Sequence, residues 1–229
     1  MNAAVVPVRS ISGAKNRLAS CLEQGQRREL ALTMLEDMLV ALRAARRVDL
    51  ISVVSADEAL LEQALVLGAD VVDERSCASA TGAPRGLNAA VSQAARVLER
   101  RGASRLLAIP GDVPLLRPSE IDELLAIDAA LHPVVLVPSS SPGGTNGLLL
   151  SPPTVITPRF EGASLEAHRR ACESAGISCL TVELPGFALD VDTPDDLDRL
   201  SRANGCRTAS LVASWREREE DRLRSKPAA

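Results

Sequence analysis

The chain has 229 residues, 46% of them hydrophobic, with a formal net charge of −4 and an aromatic content of 1%. That length supports one domain with a sizeable core, and a slightly acidic chain without base-stacking rings gives no basis for nucleic-acid binding. The longest apolar runs fall short of a membrane span. The first of them, Ala3 to Val8, ends in Pro-Val-Arg instead of a cleavage site, so a cytoplasmic setting is expected, with the five cysteines reduced.

Ala3 to Val8 reads as a first strand, followed over residues 9 to 25 by a loop too long to be a simple connection, a length usually kept for function. Arg27 to Ala45 carries Leu30, Met34, Leu35, Met38, Leu39 and Leu42 at helical spacing, which is a core-packing stripe. Leu50 to Val54 reads as a strand, Glu58 to Leu67 as a helix closed by Gly68, and Ala69 to Val72 as a third strand. A Gly/Ala/Ser-rich loop, Glu74 to Arg85, precedes the helix Leu87 to Arg100 and the strand Leu106 to Ile109. The spacing then predicts a helix over Ser119 to Ala130, a strand over Val134 to Val137, a turn-rich loop over Ser139 to Asn146 and a strand over Leu148 to Leu150. A helix over Ser164 to Ala175 and strands near Cys179 to Glu183 and Ala188 to Val191 complete the alternation. Strands and helices of these lengths imply a mainly parallel α/β sheet covered on both faces, with antiparallel pairing introduced after Asn146. Residues 1 to 206 are read as one domain, and 207 to 229, with the mixed-charge run Arg216 to Arg222, as a charged, solvated extension.

The most informative stretch is Pro110-Gly111-Asp112-Val113-Pro114, where a short buried strand ends in glycine and offers a carboxylate at its carboxyl end. Taken alone, Asp112 is as much a turn-forming aspartate as a metal ligand. A second acidic site, Leu189-Asp190-Val191-Asp192, changes that balance, because residues i and i+2 of an extended segment project from one face. Two like charges side by side are costly unless a cation separates them. Asp112, Asp190 and Asp192 would make an all-oxygen site suited to magnesium and a nucleotide triphosphate. Asp195 and Asp196 fit a helix start capped by Thr193, with Pro194 in the first turn.

In the first loop, Arg9, Lys15 and Arg17 lie just past a strand end and could hold a triphosphate, or sit on a solvated surface loop. Neither a Walker loop nor Gly-x-Gly-x-x-Gly is present. Lys15 and Lys226 are the chain's two lysines among 26 basic residues, so a lysine at position 15 suggests that a compact ammonium is wanted there. Gly143-Gly144-Thr145-Asn146 reads as an anion nest or an ordinary glycine turn. Gly86 opens a helix whose Asn88 reads as a contact to a base or as part of the cap. Ser164 reads as a helix cap beside N–H groups that could bind a carboxylate or phosphate, and His168, one turn on, as a packing or exposed side chain. The two histidines and the cysteines complete no zinc site of ordinary spacing.

Taken in order, Val6-Pro-Val-Arg9 with Ala14-Lys15-x-Arg17-Leu18, Gly86-Leu-Asn88, Gly111-Asp112-x-Pro114, Gly143-Gly-Thr-Asn146, Phe160 through Ser164 to His168 and Asp190-x-Asp192-Thr-Pro resemble the 2-phospho-L-lactate guanylyltransferase family of coenzyme F420 biosynthesis. Members of that family use 2-phospholactate, phosphoenolpyruvate or 3-phosphoglycerate, and the resemblance covers roughly residues 5 to 200. It implies a three-layer α/β/α sandwich of the nucleotide-diphospho-sugar transferase type. It also implies magnesium at Asp112, Asp190 and Asp192, nucleotide contacts from Arg9, Lys15, Arg17, Gly86 and Asn88, and acceptor contacts from Thr145, Gly162 and Ser164. Lys15, Arg17 and Asp112 are the residues expected to act in catalysis. Where relatives read Phe-Gly-x-x-Ser, this chain reads Phe160-Glu161-Gly162-Ala163-Ser164, and the choice of acceptor stays open.

The expected partners are therefore GTP and a small phosphorylated acid, with no nucleic acid and no membrane; a homodimer is compatible with the same reading. The alternatives are a molybdenum-cofactor or sugar nucleotidyltransferase of the same fold, whose usual glycine-rich first loop is absent here, and a catalytically silent nucleotide-binding module. Lys15→Arg conserves charge but replaces a point contact by a planar fork. Turnover with GTP is expected to fall while folding is unchanged, and wild-type steady-state kinetics in this variant would return Lys15 to the surface.

Overall fold

The computed structural model describes residues 1–9, 16–77 and 86–224. Its strands are β1 (Asn2–Pro7), β2 (Leu50–Ser55), β3 (Asp70–Asp73), β4 (Arg105–Ala108), β5 (Val134–Pro138), β6 (Thr145–Leu150) and β7 (Cys179–Thr181). The helices are α1 (Gln24–Ala44), α2 (Glu58–Val66), α3 (Glu74–Cys77), α4 (Leu87–Arg100), α5 (Pro118–Ala126), α6 (Ser164–Ala175), α7 (Pro194–Ser201) and α8 (Arg207–Arg224). The strands form one sheet in the order β3-β2-β1-β4-β6-β5-β7. Among the described residues β6 alone runs against its neighbours, pairing antiparallel with both β4 and β5. The mainly parallel sheet with antiparallel pairing brought in late is thus as the sequence predicts, the reversed strand beginning at Thr145.

The apolar runs are buried on both faces because helices cover both, which is why these strands read as continuous hydrophobic segments. Ala4, Val6, Leu107, Val135 and Leu149 face a core built with α1, α2 and α5, while Ala3, Val5, Leu106, Val134 and Leu148 face a second core built with α4 and α6. The stripe Leu35, Met38, Leu39 and Leu42 of α1 enters the first core, and Leu30 and Met34 turn toward a third cluster with α7 and α8. The layers are the predicted α/β/α sandwich.

Several elements depart from the sequence reading; β6 begins at Thr145, inside the predicted loop, and β7 ends at Thr181. Helix α5 ends at Ala126 instead of continuing to Ala130, because the Asp128 carboxylate accepts from the Ala130 N–H at 2.8 Å and offers the backbone a turn in place of another helical bond. The loop predicted from Glu74 opens with the single turn α3, and residues 78–85 lie outside the described part. The segment predicted as a strand over Ala188 to Val191 pairs with no strand among the described residues: the Ala188 carbonyl accepts from Ser140 N–H at 2.7 Å and Val191 N–H donates to the Asp112 carbonyl at 3.0 Å, so its backbone is tied to two loops.

The carboxy-terminal segment was expected to be solvated, but the first turns of α8 are packed. Ala209, Val212 and Trp215 recur at helical spacing and are buried against Leu30, Met34, Leu197 and Leu200. The Asp37 carboxylate on α1 accepts from the Arg207 N–H at 3.0 Å and the Thr208 N–H at 2.7 Å, serving from another helix the orphan donors that a helix start presents. The charged run after Trp215 masks this short stripe in the sequence. Trp215→Ala is expected to lower the unfolding free energy by about 3 kcal/mol, as truncating a buried aromatic side chain does. An unchanged urea midpoint would mean that α8 does not belong to the folded unit.

Candidate active site

Chain connections leave β1 for β2 on one side and reach β4 on the other, and open α/β sheets bind ligands in the crevice at such a switch point. Here the carboxyl ends of β1 and β4 open into a cleft of about 690 Å³. The reversed strand β6 brings its first residues to the same end of the sheet, so Thr145 and Asn146 complete one wall.

The β1 side supplies Arg9, which is exposed and lies 3.9 Å from the Glu161 carboxylate. Arg17 sits on a 3-10 turn, Asn16–Leu18, pinned by the fully buried Leu18. Both arginines line the cleft. Lys15, expected beside them, lies outside the described residues.

The β4 side supplies Asp112. Ladder bonds continue past β4, with Ile109 N–H on the Val5 carbonyl at 3.0 Å and Gly111 N–H on the Pro7 carbonyl at 3.1 Å. A Cβ at Gly111 would stand 2.7 Å from Val8 Cγ2, so glycine is what lets the two strand ends run this close. Asp112 then accepts the Val191 N–H on its carbonyl, which seats Asp190 and Asp192 beside it, and all three aspartates line the cleft. Val191 is fully buried between them, so the predicted alternation holds although the predicted strand does not.

Two residues that the sequence analysis did not single out hold this acidic loop. Asn146 Nδ2 donates to the Phe187 carbonyl at 2.8 Å and to Asp190 Oδ1 at 3.3 Å. Buried Glu120 on α5 accepts the Gly186 N–H at 2.8 Å, and a Cβ at Gly186 would lie 2.4 Å from that carboxylate oxygen. Thr193 caps α7 as predicted, its hydroxyl accepting from the Asp196 N–H at 3.3 Å, and the Asp196 carboxylate in the first turn accepts in return from the Thr193 N–H at 2.8 Å and from the Asp192 N–H at 3.1 Å. The donors are hard carboxylate oxygens, the kind magnesium takes, yet among the described residues no three His, Cys, Asp or Glu side chains gather closely enough to hold a metal alone.

The opposite wall departs from the sequence reading in detail. Ser164 is the first residue of α6 instead of its cap, and its hydroxyl donates to Thr145 Oγ1 at 3.1 Å. The Ser164 and Leu165 N–H groups are taken by the Gly162 and Gly143 carbonyls at 2.8 and 3.0 Å, and Gly144 N–H by Ser141 at 3.2 Å, so the glycine turn braces α6 and does not present an open nest. Gly162 and Ser164 line the cleft with Thr145. Gly86 and Asn88 stand behind it. Asn88 Oδ1 accepts the Phe160 N–H at 2.6 Å, which makes Asn88 a strut for the Phe160 to Gly162 segment.

His168, read as a packing or exposed side chain, is fully buried and bonded on both ring nitrogens, to Thr145 Oγ1 at 3.3 Å and to the Arg159 N–H at 2.8 Å. Burial pushes its pKa down to about 4. Burial also pushes the Cys172 thiol up to about 12, which removes it as a nucleophile at neutral pH.

The sheet order, the cleft at the switch point and the reversed strand define the fold of a nucleotidyltransferase of the nucleotide-diphospho-sugar transferase type. Solved structures with this fold include a protein of Desulfovibrio desulfuricans assigned as a nucleotide-diphospho-sugar transferase, at a TM-score of 0.75 and 20% identity over 97% of this chain and 96% of that one. A nucleotidyl transferase of Methanothermobacter thermautotrophicus gives a TM-score of 0.64 at 16% identity, over 93% of this chain and 99% of that one. A family model described as "Guanylyl transferase CofC like" matches residues 2–210, and the chain belongs to that family. Its relatives include the phosphoenolpyruvate guanylyltransferase of Conexibacter woesei, 41% identical over 86% of each chain. They also include the 3-phospho-D-glycerate guanylyltransferase of Phenylobacterium zucineum, 35% identical over 95% of this chain and 98% of that one, and the 2-phospho-L-lactate guanylyltransferase of Methanothermobacter thermautotrophicus, 33% identical over 86% and 82%.

The buried imidazole has a consequence for stability. With a folded pKa of about 4 against 6.5, the unfolded chain binds a proton between these values that the folded chain refuses, so stability rises with pH through that window. Between pH 7 and pH 5 this one group removes about 2 kcal/mol. Urea titrations at both pH values are expected to show a smaller pH-dependent loss for His168→Asn than for the wild type; equal losses would mean that His168 takes up its proton in the folded state.

Proposed function

We propose that the chain is a magnesium-dependent guanylyltransferase that joins GMP from GTP to the phosphate of a small three-carbon acid, in coenzyme F420 biosynthesis and in the cytoplasm. The observation that carries this reading is one cleft in which cations from the β1 side, carboxylates from the β4 side and hydroxyls from β6 and α6 face a common space, in a chain of the CofC-like family. Asp112, Asp190 and Asp192 would hold the magnesium ion, which when bound offsets charge on the phosphate oxygens. The 41%-identical relative bears the name of phosphoenolpyruvate, so that acid is the first to assay.

In the reaction, an oxygen of the acid's phosphate attacks the α-phosphorus of GTP. The bond from that phosphorus to the bridging oxygen of the β-phosphate breaks, and pyrophosphate departs with the bonding pair. A phosphomonoester, with its second pKa about 6, is already mostly dianionic at neutral pH, so no general base or covalent intermediate is required. Arg9 and Arg17, with Lys15, offset the charge of the triphosphate and of the leaving pyrophosphate, and Thr145, held by the Ser164 hydroxyl, orients the acid. Positioning and charge neutralisation supply the rate.

Asp112→Asn, Asp190→Asn and Asp192→Asn are each expected to keep the fold and lose most activity, the loss of one such electrostatic contact costing about 2.7–4 kcal/mol in the transition state. Asp195→Asn is expected to be mild, and chelation of divalent ions to stop turnover reversibly. Pyrophosphate release with the three acids in parallel, with product masses measured, tests this; GTP binding without turnover on any acid would indicate a silent nucleotide-binding module. Thr145→Val is expected to raise the acceptor KM about tenfold and leave the GTP KM unchanged. A rise confined to GTP would place Thr145 at the nucleotide.

A further inference from the structure

Thr145 Oγ1 lies where three elements meet, and the hydrogen bonds around it fix the direction of its proton. The Arg159 N–H donates to His168 Nε2 at 2.8 Å. A backbone amide can only donate, so Nε2 carries the lone pair, and in a neutral ring the hydrogen sits on Nδ1. Nδ1 is 3.3 Å from Thr145 Oγ1 and therefore donates to it. Ser164 Oγ donates to the same oxygen at 3.1 Å, the shorter of its two contacts, the Gly143 carbonyl lying at 3.5 Å. With both lone pairs of Oγ1 engaged, the threonine's own hydrogen is what remains to offer to the cleft that Thr145 lines.

We propose that His168 is a positioning residue: through its Nδ1–H it makes Thr145 an obligate hydrogen-bond donor toward an anionic oxygen of the acceptor acid, and through Nε2 it holds the Arg159 amide, so that the Phe160 to Gly162 wall keeps its place. This rests on the acceptor pocket proposed above. A lone threonine hydroxyl donates or accepts with equal ease, whereas a carboxylate or an ionised phosphate only accepts. Fixing the hydroxyl as a donor matches the pocket to an anion and spares the cost of reorienting it on binding. Burial and, to a lesser extent, the neighbouring Arg159 charge disfavour the imidazolium and outweigh the Ser164 backbone, which favours it; the groups that face the ring are Thr145 from β6, Ser164 from α6 and the edge-on ring of Phe160. Asn88 does for the Phe160 N–H what His168 does for the Arg159 N–H, so two successive amides of this wall are held by side chains.

Imidazole ¹⁵N spectra of the full chain test the tautomer without substrate. The chain has two histidines, so a His132→Asn variant leaves the His168 signals alone. Nδ1 is expected to be protonated and Nε2 bare from pH 6 to 8, and a proton on Nε2 overturns the proposal. Kinetics with GTP and phosphoenolpyruvate then test the consequence. His168→Gln can reach the Arg159 amide as an acceptor but lacks the donor at the Nδ1 position, and is expected to raise the acceptor KM about tenfold with the GTP KM unchanged. His168→Asn, which restores an N–H near that position but leaves the Arg159 amide without its acceptor, is expected to fall between His168→Gln and the wild type. The double variant Thr145→Val, His168→Gln should be no worse than Thr145→Val alone, since the two remove one interaction. A wild-type acceptor KM in His168→Gln, or additive effects in the double variant, overturns the role. If the wild type turns over none of the three acids, the proposed function fails, while the spectra still decide the tautomer on their own.

Discussion

One backbone hydrogen bond, from the Val191 N–H to the Asp112 carbonyl, organises the acidic half of the cleft. It joins a loop leaving the middle of the sheet to a loop arriving from its edge, segments far apart in the chain. Bringing carboxylates to one cleft is unfavourable, so the geometry has to be enforced from outside the acids. Asn146 and Glu120 do this from β6 and α5, by gripping the turn before Asp190, and the Asp196 carboxylate in the first turn of α7 grips the backbone after Val191. Val191 itself is buried with Leu18, Leu189 and Trp215, so the third hydrophobic cluster, where α8 docks, also anchors the acidic loop. The carboxy-terminal helix therefore contributes to the cleft without touching it.

Most of the fold was legible because the strands are apolar runs of strand length and the helices carry clear stripes. Helices α4 and α6 begin and end where the sequence places them, since Gly86 and Gly176 mark their limits. What failed depends on tertiary bonding. Nothing local in Leu189-Asp190-Val191-Asp192 says that its amides go to loops instead of a strand, and nothing in Arg207 to Trp215 advertises that Asp37, on another helix, serves the first amides of α8.

The candidate site was legible as chemistry more than as wiring. Aspartates, arginines and hydroxyl residues from separate motifs share one cleft, as expected. Asn88, considered as a contact to a base, spends its carbonyl on the Phe160 amide. Ser164, considered as a cap, spends its hydroxyl on Thr145. In each case the residue type suggested a ligand contact and the structure shows a neighbour holding the wall of the cleft, which periodicity and motif spacing do not encode. His168 is the converse, a residue assigned to packing that proves to be hydrogen-bonded through both nitrogens to the wall facing the aspartates.

The reversal of β6 divides the cleft along the chain. The parallel strands β1 and β4 deliver Arg9 and Asp112 from the first half of the sequence, whereas Thr145, Phe160, Gly162 and Ser164 come from one continuous stretch that begins with the turn before β6 and ends with the first residue of α6. A strand that runs backward starts where its neighbours finish, so this stretch can be rewritten with the parallel half left in place. On the function proposed here, such an arrangement lets one nucleotide-handling frame carry different small acids by exchange of a single contiguous segment of about twenty residues, a natural unit for inheritance of substrate preference as well as for its redesign.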